Sequence, residues 1–186
     1  MLKVTSAAIR AEDPDAEVVT AGLANSRSGI APARFLRRLY RAGARDSFDT
    51  LAVHPFARDA AGAIRAVVRA RASLRDNGDS GKRIWLTEFG WASEGPSSRY
   101  THGRGGQASR LTQAVSRLVA MREKLRLRGI VYYAWRDLPA NPPDNPDYWG
   151  LHTGLLDTNG RPKPALRALR RATGPLRAAA RRAAAG

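Results

Sequence analysis

The chain has 186 residues, 43% of them hydrophobic and 26% charged, an ordinary balance for one globular domain with a substantial core. Cysteine is absent, which excludes disulfides, thiol catalysis and zinc sites built on thiolates. The net charge is +16, and only four of the 32 basic residues are lysines. Because the arginines are spread over every predicted helix, we interpret them as a coding bias on outer helix faces and expect no nucleic-acid partner.

The hydropathy of the chain predicts no contact with a membrane. No apolar run approaches the length of a bilayer span. The first residues, MLKVTSAAIRAEDPD, lack the apolar core of a secretion signal and look like the end of an amphipathic helix. The cellular location is therefore left open.

Strand-like and helix-like segments alternate along the chain. The predicted strands, rich in β-branched and aromatic residues, are AEVVTAGLA (16–24), FDTLAVHPFA (48–57), RIWLTEFGW (83–91) and GIVYYAW (129–135). Each precedes a predicted helix, at 32–43, 59–76, 107–128 and 164–174. The βα repeat predicts parallel strands with right-handed crossovers, and hence an α/β sheet covered by helices.

The loops are unequal in length. Helix-to-strand connections are short, whereas the strand-to-helix connections at 92–106 and 136–163 are long. In α/β folds the functional site is built from loops at the carboxyl ends of the strands. Both long loops carry aromatic and acidic residues, which favours a functional role over tolerated surface insertion.

Three side chains that carry chemistry close successive predicted strands: His54, Glu88 and Trp135. Alternation along the third strand places Glu88 on one face with Ile84 and Leu86. The position of Glu88 alone is consistent with two roles. It could be a nucleophile or base, or equally a structural carboxylate paired with an arginine or a backbone amide. A lone histidine is slightly more often structural, and tryptophan is more often packed than stacked on a ligand. The three together predict a polar and aromatic pocket.

Other catalytic motifs are absent or weak in the sequence. There is no GxSxG elbow and no Walker loop, and the three histidines lack metal-ligand spacing. The residues therefore predict no metal and no cofactor.

The strand-end motifs IWLTEFGW, LAVHPF and VYYAWRD, followed by WGLHTGLLDTNGRPKPAL, resemble the carboxyl-terminal half of clan A retaining glycoside hydrolases. The families most similar are 39 (β-xylosidase-like) and 5 (cellulase-like). The resemblance implies a partial (β/α)₈ TIM barrel of about four βα units, a half barrel that corresponds to strands five to eight. It implies that 1–174 is half of a catalytic domain. By its composition, 175–186 is a low-complexity Ala/Arg tail.

The resemblance also implies roles for individual residues and a glycoside or oligosaccharide partner. Glu88 would be the nucleophile that ends strand seven, and His54 would lie beside the sugar and the nucleophile. Trp135 would form the floor of the subsite at the cleaved bond. Three further residues would line the pocket: Trp91, Tyr133 and Trp149. Such enzymes use neither a metal nor another cofactor.

One part of the family pattern is missing. Retaining hydrolysis needs a second carboxyl group, and in this clan it is a Glu preceded by Asn at the end of strand four. The chain contains no Asn-Glu pair. The sequence thus predicts a truncated hydrolase of O-glycosidic bonds, inactive alone. The alternative is a non-catalytic carbohydrate-binding or remnant half-barrel module. Open barrel edges predict self-association.

Overall fold

The computed structural model describes residues 1–25, 29–140 and 146–176. This part of the chain divides into two compact units. The first comprises Met1–Pro55, Arg65–Phe89 and Arg122–Val131, and the second comprises Phe56–Ile64, Gly90–Met121 and the segment from Tyr132 onward. All but the first two residues of the predicted tail, 175–186, lie outside the described residues, so the boundary at 174 stays a prediction.

The elements follow the predicted alternation of strands and helices. In chain order they are α1 (Leu2–Glu12), β1 (Leu23–Ala24), α2 (Pro32–Arg41), β2 (Thr50–His54), α3 (Ala60–Asp76), β3 (Arg83–Leu86), α4 (Gly103–Ala120), α5 (Arg122–Leu125), β4 (Leu127–Ile130) and α6 (Pro164–Ala172). Two short 3₁₀ helices, Arg45–Ser47 and Trp149–His152, lie in connections. None of these described helices is both long and apolar enough to cross a lipid bilayer.

The sheet of the first unit has four parallel strands in the order β1-β2-β3-β4. This confirms the predicted α/β fold with a parallel sheet. In the register of β2 and β3, Leu51 lies beside Ile84 and Val53 beside Leu86. These four side chains are buried, as expected for strands covered by helices.

One face of the sheet is apolar and covered by helices. Leu51 and Val53 line a cavity of about 180 Å³ together with Leu36 of α2 and Ala66 and Ala70 of α3. Residues paired across parallel strands point to the same face, so the partners of Leu51 and Val53 on β3 belong to this face too. Thr50 and Ala52, which alternate with them along β2, point to the opposite face.

The first strand is much shorter than its sequence predicts. Only Leu23–Ala24 forms a ladder with β2, preceded by one isolated bridge between Val19 and Thr50. Between them, the hydroxyl of Thr20 accepts the N–H of Ala52 at 2.9 Å. A side-chain oxygen thus takes the place of a ladder carbonyl, and regular pairing is interrupted.

The long predicted helix at 107–128 and the strand after it also differ from the prediction. The helix α4 begins earlier, at Gly103, and ends at Ala120. Arg126 has a φ of 50°, which reverses the chain, and β4 then begins at Leu127 and ends at Ile130. The indole of Trp85 lies across Gly129, where a Cβ would be 2.8 Å from Nε1. A glycine is therefore needed at position 129 inside the strand.

The second unit is built on the packing of α4 against α6. The buried side chains of α4 include Leu111, Val115 and Leu118, spaced as one helix face requires. The buried residues of α6 include two small ones, Ala165 and Ala168. Pro164 occupies the first turn of α6, where its fixed φ favours helix initiation.

Candidate functional site

Glu88 and His54 lie side by side just beyond the ends of neighbouring strands. β2 ends at His54, and Glu88 follows the end of β3 by two residues. The distance between Nδ1 of His54 and Oε2 of Glu88 is 3.3 Å. The His54 side chain is 19% exposed and that of Glu88 is 40% exposed, so the carboxylate reaches solvent while the imidazole is mostly covered.

The face predicted for Glu88 stays a prediction, because Glu88 lies beyond the last paired residue of β3. Strict alternation would place Glu88 with Ile84 and Leu86 on the face that the helices cover. Pairing of β3 ends at Leu86, and beyond it Glu88 contacts His54, the last residue of β2. The prediction treated 83–91 as one regular strand, whereas only its first four residues form one.

Thr87 belongs to the same cluster, although its sequence context did not predict a place in the site. Its Oγ1 lies 2.9 Å from Nε2 of His54. The register explains the contact, because Val53 pairs with Leu86 and the next residues of the two strands are His54 and Thr87. Both ring nitrogens of His54 thus have an oxygen partner, one from a hydroxyl and one from a carboxylate.

Two of the predicted pocket residues, Tyr133 and Trp149, belong to an aromatic cluster in the second unit. The ring of Phe56 lies edge-on to both, with centroids 6.3 Å from Tyr133 and 5.2 Å from Trp149. Tyr100 adds a fourth ring, 4.4 Å from Trp149. All four rings are half-buried. Phe56 and Tyr100 could have been suspected from their places after a strand end and in a long loop.

The two remaining predicted tryptophans, Trp135 and Trp91, have opposite environments. Trp135 is 64% exposed and lies five residues beyond the end of β4, so it does not close that strand as predicted. Trp91 is fully buried, and its indole N–H donates to the carbonyl of Ala57 at 2.7 Å. The substrate-binding roles of both residues stay predictions.

Gln107, a fully buried residue near the start of α4, fastens loops of the second unit. Its Nε2 lies 3.0 Å from the carbonyl oxygens of Trp91 and Thr153 and 3.2 Å from that of Gly154. The Tyr132 hydroxyl lies 3.2 Å from the same nitrogen. Burial raises the pKa of Tyr132 well above its usual value. One side chain thereby holds two separate loop segments.

A buried ion pair between Lys163 and Asp137 holds the second long loop. Lys163 Nζ lies 2.7 Å from Asp137 Oδ2, and the two side chains are 0% and 4% exposed. The ammonium group also donates to Ser93 Oγ at 2.9 Å, and the carboxylate accepts the N–H of Gly154 at 2.7 Å. Burial lowers the pKa of Lys163, while the nearby carboxylate acts in the opposite direction. The pair is fully hydrogen-bonded, as a buried pair must be.

These polar residues were missed because their partners come from distant parts of the chain. Gln107 and Lys163 stand at or next to helix starts, where polar residues are common and usually exposed. Nothing in their local sequence indicates burial. Within the described ranges, no group of three or more His, Asp or Glu side chains is arranged to hold a metal ion.

Comparison with protein-family models finds no match, and comparison with curated proteins finds none either. Solved structures are similar in fold. A family 39 glycoside hydrolase from the gut symbiont Bacteroides cellulosilyticus WH2 has a TM-score of 0.67 and 22% identity, over 92% of this chain and 36% of that chain. A monomeric β-xylosidase from Caulobacter crescentus CB15 has a TM-score of 0.62 and 17% identity, over 90% and 35%. A xylanase from Cellvibrio japonicus has a TM-score of 0.61 and 21% identity, over 91% and 54%.

The chain therefore spans about a third to a half of the length of these similar structures. The resemblance to glycoside hydrolases and the partial (β/α)₈ barrel predicted from the sequence are confirmed at the level of the fold.

Proposed function

We propose that this chain is the carboxyl-terminal half of the catalytic domain of a retaining glycoside hydrolase and that Glu88 is its nucleophile. The observation that carries the proposal is the Glu88 carboxylate 3.3 Å from the imidazole of His54. The pair lies past the carboxyl ends of adjacent parallel strands, on a fold shared with glycoside hydrolases. Catalytic groups of (β/α)₈ enzymes come from these strand ends.

The chemistry assigns one of two carboxyl groups to this chain. In retaining hydrolysis, a carboxylate attacks the anomeric carbon while a second carboxyl group, about 5–5.5 Å away, protonates the departing oxygen. Water then cleaves the glycosyl ester, and the second group takes a proton from that water. Glu88 supplies the first group. Since the chain has no Asn-Glu pair, we assign the second to polypeptide outside this sequence.

The substrate is proposed to be a glycoside or oligosaccharide, with β-xylosides as the first to test. Two of the similar solved proteins are described as a β-xylosidase and a xylanase. The exposed indole of Trp135 offers a flat apolar face of the kind on which sugars stack. Tyr133 and Trp149 are proposed to line the same substrate.

A glycoside with an activated leaving group tests Glu88 directly. 2,4-Dinitrophenolate departs without protonation, so the missing acid does not block the first step. A 2-fluoro substituent slows the hydrolysis of the intermediate, and the sugar stays on the carboxylate. We expect 2,4-dinitrophenyl 2-deoxy-2-fluoro-β-xyloside to label Glu88 in this chain, measured as a mass increase that peptide mapping locates. β-Glucoside and β-mannoside analogues extend the panel.

Two variants control this labelling experiment. Glu88→Gln should abolish the label, because the amide is not a nucleophile. Glu94→Gln should leave it unchanged, since Glu94 is an exposed carboxylate paired with Arg104 at 2.8 Å. A label on another residue, or no label with any glycoside of the panel, contradicts the proposal.

A second candidate function is a non-catalytic carbohydrate-binding or remnant half-barrel module. The observation that favours it is Trp135, whose large indole is 64% exposed. This module would bind xylo-oligosaccharides without turnover or labelling, and Trp135→Ala would weaken the binding. Calorimetry that detects no saccharide binding would eliminate it.

We also propose self-association through the sheet edges. In the described sheet β1 and β4 each pair with one strand only, and Val131, which follows β4, is 47% exposed. Exposed edges of this kind pair readily with further strands. Light scattering should give a mass above that of the 20.2 kDa chain, and a strict monomer at high concentration would refute the proposal.

A further inference from the structure

We infer that Thr87 is a positioning residue for the nucleophile. Its hydroxyl donates a hydrogen bond to Nε2 of His54 and so selects the imidazole tautomer whose Nδ1–H faces the carboxylate of Glu88. The inference rests on the proposed function of Glu88, but its structural part can be measured without turnover.

The distances define the donors and acceptors in the cluster. Nε2 of His54 is 2.9 Å from Thr87 Oγ1, and Nδ1 is 3.3 Å from Glu88 Oε2. A neutral imidazole has one N–H and one lone pair, whereas an ionised carboxylate only accepts. The N–H therefore belongs on Nδ1, and the lone pair on Nε2 needs a donor. A hydroxyl can be that donor.

The backbone fixes the Thr87 hydroxyl at this position. Because Val53 pairs with Leu86, the residues that follow them, His54 and Thr87, lie side by side. Threonine is branched at Cβ, which restricts the rotamers available to the hydroxyl. The imidazole is only 19% exposed, so water has limited access to compete for its nitrogens.

Loss of this hydrogen bond would act on Glu88 through His54. With the proton on Nε2, the Nδ1 lone pair would face the carboxylate, and the two acceptors would repel each other. The carboxylate would then turn away from the orientation needed for attack. Outer partners that orient reactive groups typically contribute roughly 10–100-fold to activity at metal sites, and we expect an effect of that size here.

The tautomer is measured by long-range ¹H–¹⁵N NMR of the imidazole rings at neutral pH. The chain has three histidines, and the spectrum of His54→Gln identifies the signals of His54. We expect a protonated Nδ1 and an unprotonated Nε2 in the unaltered chain. Thr87→Val, which keeps the shape and removes the hydroxyl, should mix the tautomers, while Thr87→Ser should keep the native pattern. An Nε2–H tautomer, a doubly protonated ring, or an unchanged spectrum in Thr87→Val overturns the inference.

The labelling rate then separates the positioning role from the proposed function. We expect Thr87→Val to slow labelling of Glu88 roughly 10–100-fold and Thr87→Ser to restore most of the rate, with unchanged melting temperatures. If the native chain is labelled and Thr87→Val is labelled equally fast, the positioning role is refuted while Glu88 stands as nucleophile. If the native tautomer is as expected but no labelling occurs, the proposed function fails and the positioning role fails with it.

Discussion

The imidazole of His54 fills the space in which a side chain on Gly22 would lie. A Cβ built on Gly22 would be 1.9 Å from Nε2 of His54, far inside contact distance. The ring reaches both Thr87 and Glu88 from this position. The glycine just before β1 thus makes room for the ring that joins β2 to the end of β3.

Gly22→Ala should therefore displace His54 from Thr87. We expect a changed His54 imidazole spectrum, slower labelling of Glu88, and a loss of about 1–3 kcal/mol in the free energy of unfolding from overpacking. Gly81→Ala is the matched control, because nothing lies within 4 Å of a Cβ there. A Gly22→Ala spectrum identical to that of the unaltered chain would contradict the packing described.

Removal of Lys163 should strongly destabilise the protein. Lys163→Met leaves the carboxylate of Asp137 buried without its cation, which typically costs about 3–5 kcal/mol. The free energy of unfolding is measured by urea denaturation. Arg104→Gln, in an exposed pair with Glu94, serves as the control and should change it by about 1 kcal/mol or less. A loss as small for Lys163→Met as for the control would rule out a buried pair.

The cavity under the sheet should accept a larger side chain. Its volume is about 180 Å³, and Ala70 is one of its buried lining residues. Ala70→Leu should raise the free energy of unfolding by about 1 kcal/mol, in the range common for cavity filling. Ala61→Leu, on an exposed position of the same helix, controls for helix propensity. Destabilisation relative to that control would show that the cavity cannot take the added carbons.

Substitution of Trp91 should reduce stability, whereas substitution of Trp135 should reduce saccharide binding. Trp91→Ala removes a fully buried indole and its bond to Ala57, so we expect a loss of about 3–5 kcal/mol in stability. Trp135→Ala removes an exposed side chain and should change stability by about 0.5 kcal/mol or less. It should nevertheless weaken saccharide binding. Thermal unfolding and calorimetry distinguish the two effects, and unchanged saccharide affinity in Trp135→Ala would remove it from the site.

Alkaline pH should destabilise the first unit through Tyr40. Burial raises the pKa of its phenol well above the usual value, and the hydrogen bond to Asp79, 2.6 Å long, raises it further. The folded state therefore holds the phenolic proton more tightly than the unfolded state does. The stabilisation is fully present below about pH 10 and is lost as pH rises through the folded-state pKa. Above about pH 10, the melting temperature should fall less steeply with pH in Tyr40→Phe than in the unaltered chain. Equal slopes in the two proteins would contradict a raised pKa of Tyr40.

The sequence was sufficient to predict the order of strands and helices and the proximity of His54 and Glu88. Both follow from periodicity and from the rule that parallel strands end at one edge. The role of Thr87 was not predictable, because it depends on where pairing of β3 stops and on the register with β2. The same holds for Gln107, whose four neighbours are brought together only by tertiary structure.

The ion pair between Lys163 and Asp137 joins two residues that lie 26 positions apart in the sequence, and both side chains are shielded from water. Loop-closure entropy grows slowly with length, and a doubling costs only about 0.6 kcal/mol. Insertions and deletions between the two residues, outside the segment 153–154 that Gln107 and Asp137 hold, should therefore cost little as long as the ion pair is kept. The length and sequence of this loop can therefore change during evolution while the ion pair that closes it stays the same.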